Sequence, residues 1–326
     1  MSILNLANPI APAANDKKLR SKSAYKWTLV KRNWQLYLFV LPAAITFILF
    51  NYLPMYGVLI SFKSYNMAAG IWDSPWAEPW YKYFKMFFSS PWFFRTIKNT
   101  LVLSLYGLII NSILPILLAL MVNEVRNSFY KKIVQTATYI PYFISVVVLV
   151  GMVNLFFSTS TGLVNQVIKM LGHEPISFLT SEPAFKHLYV WSGVWQGTGW
   201  GSIIYFAALS NVSPELHEAA TIDGAGRLQR IIHINIPALI PTFIIMLILG
   251  SGSIMSVSYQ KILLMQNDLN VLASEVIQTY VYKVGLRNSQ QYSYASAIGL
   301  FNNVINLILL ITVNKISAKV SDTSLW

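Results

Sequence analysis

The amino-acid sequence predicts an all-α polytopic membrane protein with six transmembrane helices. Of its 326 residues, 55% are hydrophobic and 11% are charged, whereas ordinary soluble domains carry about 25% charged residues. Apolar runs recur that are each long enough to cross a hydrocarbon core about 30 Å thick, which takes about 20 helical residues. These runs are continuous and do not alternate every second residue as the strands of a membrane barrel do. Helices are therefore predicted to form the spans.

Six apolar runs divide the chain. Residues 1–35 precede the first run and carry seven Lys or Arg against one Asp, so they are predicted to form a cytoplasmic N-terminal tail. Residues 36–326 are predicted to form one membrane domain, interrupted by a polar loop at about 210–237. The predicted spans cover residues 36–62, 99–122, 133–157, 188–209, 234–258 and 293–314.

The distribution of basic residues predicts the orientation of the chain. The tail, the C-terminal segment and the loops at 123–132 and 210–233 together carry fourteen Lys or Arg. The opposite loops carry ten although they are longer, and they are rich in aromatic residues and Pro. Because Lys and Arg are enriched in cytoplasmic loops, both termini are predicted to face the cytoplasm. Short interfacial helices are expected in the opposite loops, near residues 63–98, 158–187 and 259–292.

Several kinds of chemistry are missing from the sequence. It has no cysteine and only four scattered histidines, so no metal site is predicted. It also lacks a G-x-x-x-x-G-K-[ST] phosphate loop, a hydrolase nucleophile elbow and a zinc-binding H-E-x-x-H helix. The six spans contain no Asp, Glu, Lys or Arg, whereas a proton-driven carrier needs an ionisable group along its path. A non-catalytic chain without its own cofactor is predicted, and uphill transport would need energy from another subunit.

Polar and aromatic residues inside the spans suggest a passage for a hydroxyl-rich solute. The fourth span contains Trp191 and Trp195 one helical turn apart with Gln196 beside them, and aromatic faces next to amide groups suit sugars. An interfacial anchor is the competing interpretation of Trp191. For polar residues in the other spans the competing role is hydrogen bonding between helices. The predicted passage residues are Asn154, Trp191, Trp195, Gln196, Asn302 and Asn306.

A glycine stripe in the same fourth span predicts close helix packing. Gly193, Gly197 and Gly201 are spaced four residues apart in the string "WSGVWQGTGWGSIIYF". Such a stripe allows a neighbouring helix to approach closely. Packing is the favoured interpretation, and a groove for a ligand is the alternative.

The loop between the fourth and fifth spans has strong helix signals. Ser213 is placed to cap a helix, Pro214 stands at its first position, and Gly224 is able to end it in a left-handed conformation. The predicted helix covers about residues 214–222. A helix of this length is unstable alone in water, so it is predicted to pack against a partner.

The same loop resembles a known signature. The loop contains Glu218-Ala219-Ala220, then Gly224 after three residues, Ile234 after nine more and Ile236-Pro237 after one more. This pattern resembles the EAA signature of permease subunits of bacterial ATP-binding-cassette (ABC) importers. Ile236 stands where leucine is usual. The string "LSNVSPELHEAATIDGAG" resembles the carbohydrate branch, and "YSYASAIGLFNNVINLILL" and the terminal "SLW" resemble the polysaccharide and oligosaccharide permeases, a group that includes alginate-oligosaccharide importers. The resemblance covers roughly residues 30–326.

This resemblance implies a fold, a mechanism and partners. The fold would be that of a type I ABC importer permease, which changes access from one side of the bacterial inner membrane to the other. Two separate ATPase subunits would bind ATP and Mg, an extracytoplasmic solute-binding protein would deliver an oligosaccharide, and a second permease chain, different by family habit, would complete the complex. The implied ATPase-coupling residues are Glu218, Ala219, Ala220, Asp223, Gly224, Ile234 and Pro237.

Two alternatives remain open on sequence grounds. A gradient-driven secondary sugar carrier would need an ion site built from backbone carbonyls, since the spans lack charge. A membrane scaffold or channel would use the 214–222 helix only as a structural cap. The sequence also leaves open whether the saccharide is neutral or acidic.

Overall fold

The computed structural model describes residues 31–287 and 290–320. The chain divides into two units, Met1–Gly57 and Val58–Trp326. Most of the predicted 1–35 tail and the terminal Ser-Leu-Trp string lie outside the described residues. The first unit contains helix α1 (Trp34–Phe47), which includes Pro42, followed by a π-helical turn (Ile48–Tyr52) and the short helix α2 (Leu53–Met55).

The first half of the second unit is built around one long helix. After a 3-10 segment (Tyr56–Phe62) whose first two residues belong to the first unit, the short helices α3 (Gly70–Asp73) and α4 (Lys82–Phe88) lead into α5 (Trp92–Asn123). Helix α5 has 32 residues and is the longest in the described part of the chain. It begins seven residues before the predicted second span, which started at 99, because aromatic and polar residues extend the helix beyond its most apolar part.

The predicted third span is bent and is not one straight helix. Helix α6 (Ser128–Tyr139) and helix α7 (Val146–Phe157) meet at an angle of 99°. Between them, a 3-10 turn (Ile140–Phe143) includes Pro141, whose ring removes a backbone N–H donor. Ser145 then caps α7, because its side chain accepts a hydrogen bond from Val148 N at 3.3 Å. The continuous span predicted over 133–157 is therefore interrupted at its centre.

The middle of the chain pairs two long helices. After helix α8 (Leu163–Met170), helix α9 (Glu182–Ser210) packs along α5. Gly199 allows α9 and α6 to approach closely, because a Cβ atom at this position would overlap the Thr138 carbonyl of α6. Gly201 lies against Pro115 of α5, where a Cβ atom on the glycine would be 3.3 Å from the proline Cγ. Close packing on the glycines of the fourth span is thus found, although Gly199, outside the predicted stripe, makes the tightest contact.

The chain from the polar loop to the fifth span forms a nearly continuous helical path. Helix α10 (Pro214–Ile222) is followed by α11 (Arg227–Arg230), a π-helical turn (Ile231–Asn235) and α12 (Ile236–Ser251). Helix α12 ends seven residues before the predicted limit of 258. At this end Ser251 Oγ bonds back to Ile248 O at 2.7 Å, and residues from Gly252 onward form turns.

The last part of the chain contains three short helices and one long one. Helices α13 (Tyr259–Met265), α14 (Val271–Ser274) and α15 (Ile277–Tyr282) and a π-helical turn (Lys283–Arg287) precede α16 (Tyr292–Val320). Short helices therefore occupy the loops in which they were predicted. One apolar core joins α13 to α5, α7 and α9; its buried members are Leu103, Val150, Val153, Phe185, Leu188, Ile262, Met265 and Val276.

Length and composition identify the helices that could cross a membrane. Within residues 31–287 and 290–320, four helical segments are long and apolar enough, or five if the bent α6–α7 pair is one span. Helix α9 has 29 residues, enough to cross, but Trp, Tyr, Gln, Gly and Ser make it less apolar. The all-helical fold is confirmed, whereas the count of six is not confirmed by these criteria. The four segments are Trp34–Phe62, Trp92–Asn123, Arg227–Ser251 and Tyr292–Lys319.

Candidate functional site: an exposed loop helix and a polar cavity

Helix α10 has the local structure that the sequence predicts. Ser213 Oγ accepts a hydrogen bond from Glu215 N at 3.3 Å, and Pro214 is the first helical residue. Gly224 has a φ angle of 78°, in the left-handed region that favours glycine. The turn is closed by Ala225 N, which donates to Ala220 O at 2.8 Å. The predicted bounds and both caps of this helix are confirmed, whereas its coupling role stays a prediction.

The surface of this loop is uncovered and carries large apolar side chains among charged ones. No residue of α10 is buried. The side chains of Leu216, Leu228 and Ile222 are 55%, 68% and 87% exposed. Ala219 lies midway between Leu216 and Ile222 along the helix, and it is also exposed and has only a methyl side chain. Exposed apolar side chains of this kind are typical of surfaces that bind another protein.

Helix α10 is tied to the helix that enters the fifth span. Arg230 Nη1 donates to Thr221 Oγ1 at 3.1 Å, and Gly226 N donates to Gln229 Oε1 at 2.7 Å. From Arg227 the helical path continues without a break to Ser251. The two signature residues farther along also lie on this path, Ile234 in the π-helical turn and Pro237 at the start of α12.

A polar cavity lies at the far end of the same path. Its volume is about 400 Å³, and it is bounded by α5, α9 and the chain that follows α12. Gly250, one residue before the end of α12, is part of its wall. The polar side chains that line the cavity are Ser104, Asn111, Gln196, Ser253, Ser256, Ser258 and Lys261.

Hydrogen bonds to the backbone hold several of these side chains in place. Gln196 Nε2 donates to Ile144 O at 2.7 Å, at the break between α6 and α7. Asn111 Nδ2 donates to Gly107 O at 2.8 Å, and Ser253 Oγ donates to Gly250 O at 3.0 Å. A cavity lined by positioned amides and hydroxyls is chemically suited to a solute rich in hydroxyl groups.

Lys261 is the one charged residue among the described residues of the cavity wall. It is 6% exposed, its ammonium donates to Tyr189 O at 2.7 Å, and it lies 4.8 Å from the centre of the Tyr189 ring. Burial lowers the pKa of Lys261 to about 8. The sequence reasoning missed this residue because it treated the spans and the loops separately. The position of Lys261 directly after the serine-rich end of the fifth span could have indicated that it belongs to the polar cavity.

Of the six predicted passage residues, only Gln196 lines the polar cavity. Trp191 and Trp195 instead line a separate groove of about 680 Å³ between α7 and α9, whose wall is almost entirely apolar. Trp191 Nε1 donates to the hydroxyl of Tyr106 at 2.8 Å. The structure therefore places these tryptophans away from the amide that follows them in sequence.

The three predicted asparagines line neither cavity. Asn154 is exposed on α7, while Asn302 and Asn306 are 5% and 8% exposed on α16. Asn306 Oδ1 accepts a hydrogen bond from Met255 N at 2.9 Å, and its Nδ2 donates to Ser256 Oγ at 2.9 Å. These contacts fasten the turn after α12 to α16.

Metal-binding groups are not brought together in the described part of the chain. Over residues 31–287 and 290–320, no cluster of three or more His, Cys, Asp or Glu side chains could hold a metal ion.

The fold and site define the class of the protein: a multi-pass helical membrane protein with a polar cavity and an exposed loop helix. The chain belongs to the family of binding-protein-dependent transport system inner membrane components, which matches residues 111–322.

Individual relatives match nearly the whole chain. The protein LplB of Bacillus subtilis (strain 168) is 41% identical over 297 residues, 91% of this chain and 92% of the relative. The polygalacturonan/rhamnogalacturonan transport system permease protein YteP of the same organism is 39% identical over 325 residues, 99% of this chain and 100% of the relative. A chain of a crystal structure of a bacterial alginate ABC transporter, in complex with an alginate pentasaccharide-bound periplasmic protein, is 38% identical. Its TM-score is 0.83, and the match covers 92% of this chain and 99% of that chain.

These comparisons confirm the resemblance inferred from the sequence. The chain is a permease subunit of an ABC importer of the carbohydrate type, and the gradient-driven secondary carrier is not supported.

Proposed function

We propose that this chain is the non-catalytic, substrate-translocating subunit of an ATP-driven oligosaccharide importer. The names of its relatives, which include permeases for polygalacturonan or rhamnogalacturonan and an alginate transporter, support the cargo class. The family's dependence on a binding protein supports delivery by an extracytoplasmic solute-binding protein. ATP and Mg would bind to two separate ATPase subunits. A second permease, a chain of different sequence, would complete the passage.

One structural observation carries the proposed coupling. The exposed α10 surface is tied by Arg230 to a helical path that begins at Arg227 and ends at Ser251, where Gly250 already lines the polar cavity. Rigid secondary-structure elements are among the structures that carry coupling between distant sites. Movement of an ATPase subunit docked on α10 would therefore reach the cavity wall directly.

The residues of the loop would divide the docking work. The exposed apolar side chains Leu216 and Ile222 would enter a groove of the ATPase, and Ala219 and Ala220 would allow the two surfaces to approach. Glu218 and Asp223 would accept hydrogen bonds from basic or backbone donors. Gly224 would hold the helix end, with Ile234 and Pro237 fixing the entry into α12.

The proposed cycle changes access to the cavity. ATP-driven closure of the ATPases would draw the coupling helices of the two permeases together and turn the passage outward, and hydrolysis would reset it. The ATPases would lie on the cytoplasmic side of the bacterial inner membrane, with both termini of this chain on that side. The hydroxyls and amides of Ser104, Asn111 and Gln196 would contact the sugar during passage.

Two charge-changing variants test the docking assignment. In the assembled complex, Glu218→Lys and Gly224→Asp are expected to lower the amount of ATPase subunit that co-purifies with the permease and to abolish ATP-dependent sugar uptake. Glu174→Lys, an exposed charge reversal in the predicted extracytoplasmic loop, serves as the matched control and should keep the ATPases bound. Full assembly and uptake in both α10 variants would overturn the assignment.

The energy source is tested separately. Uptake into vesicles should continue when an ionophore removes ion gradients while internal ATP is held constant, and it should stop when ATP is removed. The opposite pattern would contradict ATP-driven import.

A further inference from the structure

The cation in the polar cavity has no anionic partner among the described residues. In residues 31–287 and 290–320 the carboxylate–lysine ion pairs join Lys186 to Glu182 and Lys283 to Glu275, and neither includes Lys261. Lys261 is nevertheless 6% exposed. A buried charge without a counter-charge is costly, and in membrane proteins such groups mark substrate or ion paths.

The surroundings of Lys261 hold the ammonium in position without satisfying it. An ammonium has three N–H donors, and the described residues supply one acceptor to this one, Tyr189 O. The Tyr189 ring lies under the charge and stabilises it through its negative face. Two donors remain for a molecule in the cavity, which Lys261 itself lines.

A glycine of α9 faces the ammonium of Lys261. A Cβ atom at Gly193 would lie 3.1 Å from Lys261 Nζ, closer than ordinary van der Waals contact. The missing side chain at this position therefore leaves space for the ammonium next to the hydrogen-bonding groups of α9 and α5. Gly193, the first glycine of the stripe, thus borders the cavity next to the ammonium.

We propose that Lys261 binds the carboxylate of a uronic-acid residue in the passing saccharide, so that the cargo is an acidic oligosaccharide. This inference rests on the proposed function, in which the cavity belongs to the passage. The ammonium supplies a charge-assisted hydrogen bond to the carboxylate, and the neighbouring amides and hydroxyls contact the sugar hydroxyls. A neutral sugar would leave the Lys261 charge without a counter-ion during passage.

Paired probes separate charge recognition from general damage to the passage. The complete importer is reconstituted in liposomes, and ATP-dependent uptake is measured for pentagalacturonate and pentamannuronate and for their carboxyl-reduced, neutral counterparts. In Lys261→Gln, the ratio of acidic to neutral uptake is expected to fall about tenfold or more, the loss typical of one hydrogen bond to a charged group. Lys169→Gln, which removes an exposed lysine outside the cavity, should keep the wild-type ratio.

A second variant tests the same electrostatics without removing the lysine. Asn111→Asp is nearly isosteric, lies in the cavity wall at an exposed position and introduces a negative charge that repels the carboxylates of the cargo. It should lower the same uptake ratio even if Lys261→Gln fails to assemble. A wild-type preference for the neutral probes, uptake of neither acid, or an unchanged ratio in both variants would overturn the proposal. Failure of the proposed function is distinguishable, because acid uptake would then persist without ATP or in Glu218→Lys.

Discussion

The Lys283 ammonium, which is partly exposed, and the buried Glu275 carboxylate form an ion pair that joins the π-helical turn after α15 to the end of α14. The Glu275 side chain is 3% exposed. It also accepts hydrogen bonds from Thr279 Oγ1 at 2.9 Å and from Gln266 Nε2 at 3.3 Å. The chain thus supplies a carboxylate and two further donors around one ion pair, while Lys261 in the cavity receives no carboxylate from the described residues.

Removal of the cation from this pair is expected to destabilise the protein strongly. Lys283→Met leaves the Glu275 charge buried and unpaired, which typically costs about 3 to 5 kcal/mol. The thermal unfolding midpoint of the purified complex in detergent should fall well below that of the wild type. The double variant Lys283→Met with Glu275→Gln should recover much of the loss, because no buried charge remains. Equal midpoints for the single and double variants would contradict this account of the pair.

Two glycines of α9 are predicted to respond differently to the same substitution. Gly199→Ala places a methyl group on the Thr138 carbonyl of α6, and such overpacking typically costs about 1 to 3 kcal/mol. Gly197→Ala is the matched control, because its Cβ position has no described atom of this chain within 4 Å. Thermal unfolding of the two variants should separate them, with Gly199→Ala less stable. The reverse order would show that Gly197, and not Gly199, makes the close contact.

The Gly224 turn is predicted to tolerate asparagine better than alanine. Gly224 has a φ angle of 78°, a conformation that costs an L-residue such as alanine about 1 to 2 kcal/mol, whereas asparagine is enriched there. No atom of the described residues lies within 4 Å of its Cβ position, so the difference comes from the backbone. ATP-dependent uptake should therefore be reduced more in Gly224→Ala than in Gly224→Asn. Equal uptake in both would indicate that the end of α10 does not need this conformation.

Asn306 is predicted to stabilise the fold rather than to contact the substrate. It accepts the Met255 N–H in a buried hydrogen bond, and loss of that acceptor typically costs about 1 to 3 kcal/mol. Asn306→Ala should lower the thermal unfolding midpoint, whereas Asn154→Ala, at an exposed position of α7, should not. An unchanged midpoint together with a raised KM for the sugar would contradict this and indicate that Asn306 contacts the substrate.

Local signals made the α10 loop predictable. Ser213, Pro214 and Gly224 act on their own helix through capping, a missing N–H and a left-handed φ angle, so their effects are readable without knowing the rest of the fold. Four of the six predicted spans were likewise predictable from apolar length. The bend near Pro141 shows the limit, because the residue was visible in the sequence but an apolar run alone does not show where a helix breaks.

The polar cavity was less predictable because it is assembled from distant segments. Gln196 was identified from its own span, but Lys261 arrives from a loop, and Ser104 and Asn111 come from another helix. Trp191 and Trp195 are close to Gln196 in sequence, yet the helical rotation between neighbouring residues directs them to the apolar groove. Which face of a helix meets the cavity depends on packing between helices, and periodicity in one span does not determine it.

Transmission of ATPase movement from the α10 loop to the polar cavity is open to direct measurement. The sequence has no cysteine, so a single cysteine introduced by Ser253→Cys in the cavity wall is a specific probe of access. The quantity to measure is the rate at which a small thiol reagent labels this cysteine in the complete importer, with and without ATP. If α10 couples the two events, ATP should change that rate severalfold, and the change should be lost when Glu218→Lys is added. An ATP-dependent change that persists with Glu218→Lys, or no change with ATP in the parent complex, would contradict coupling through α10.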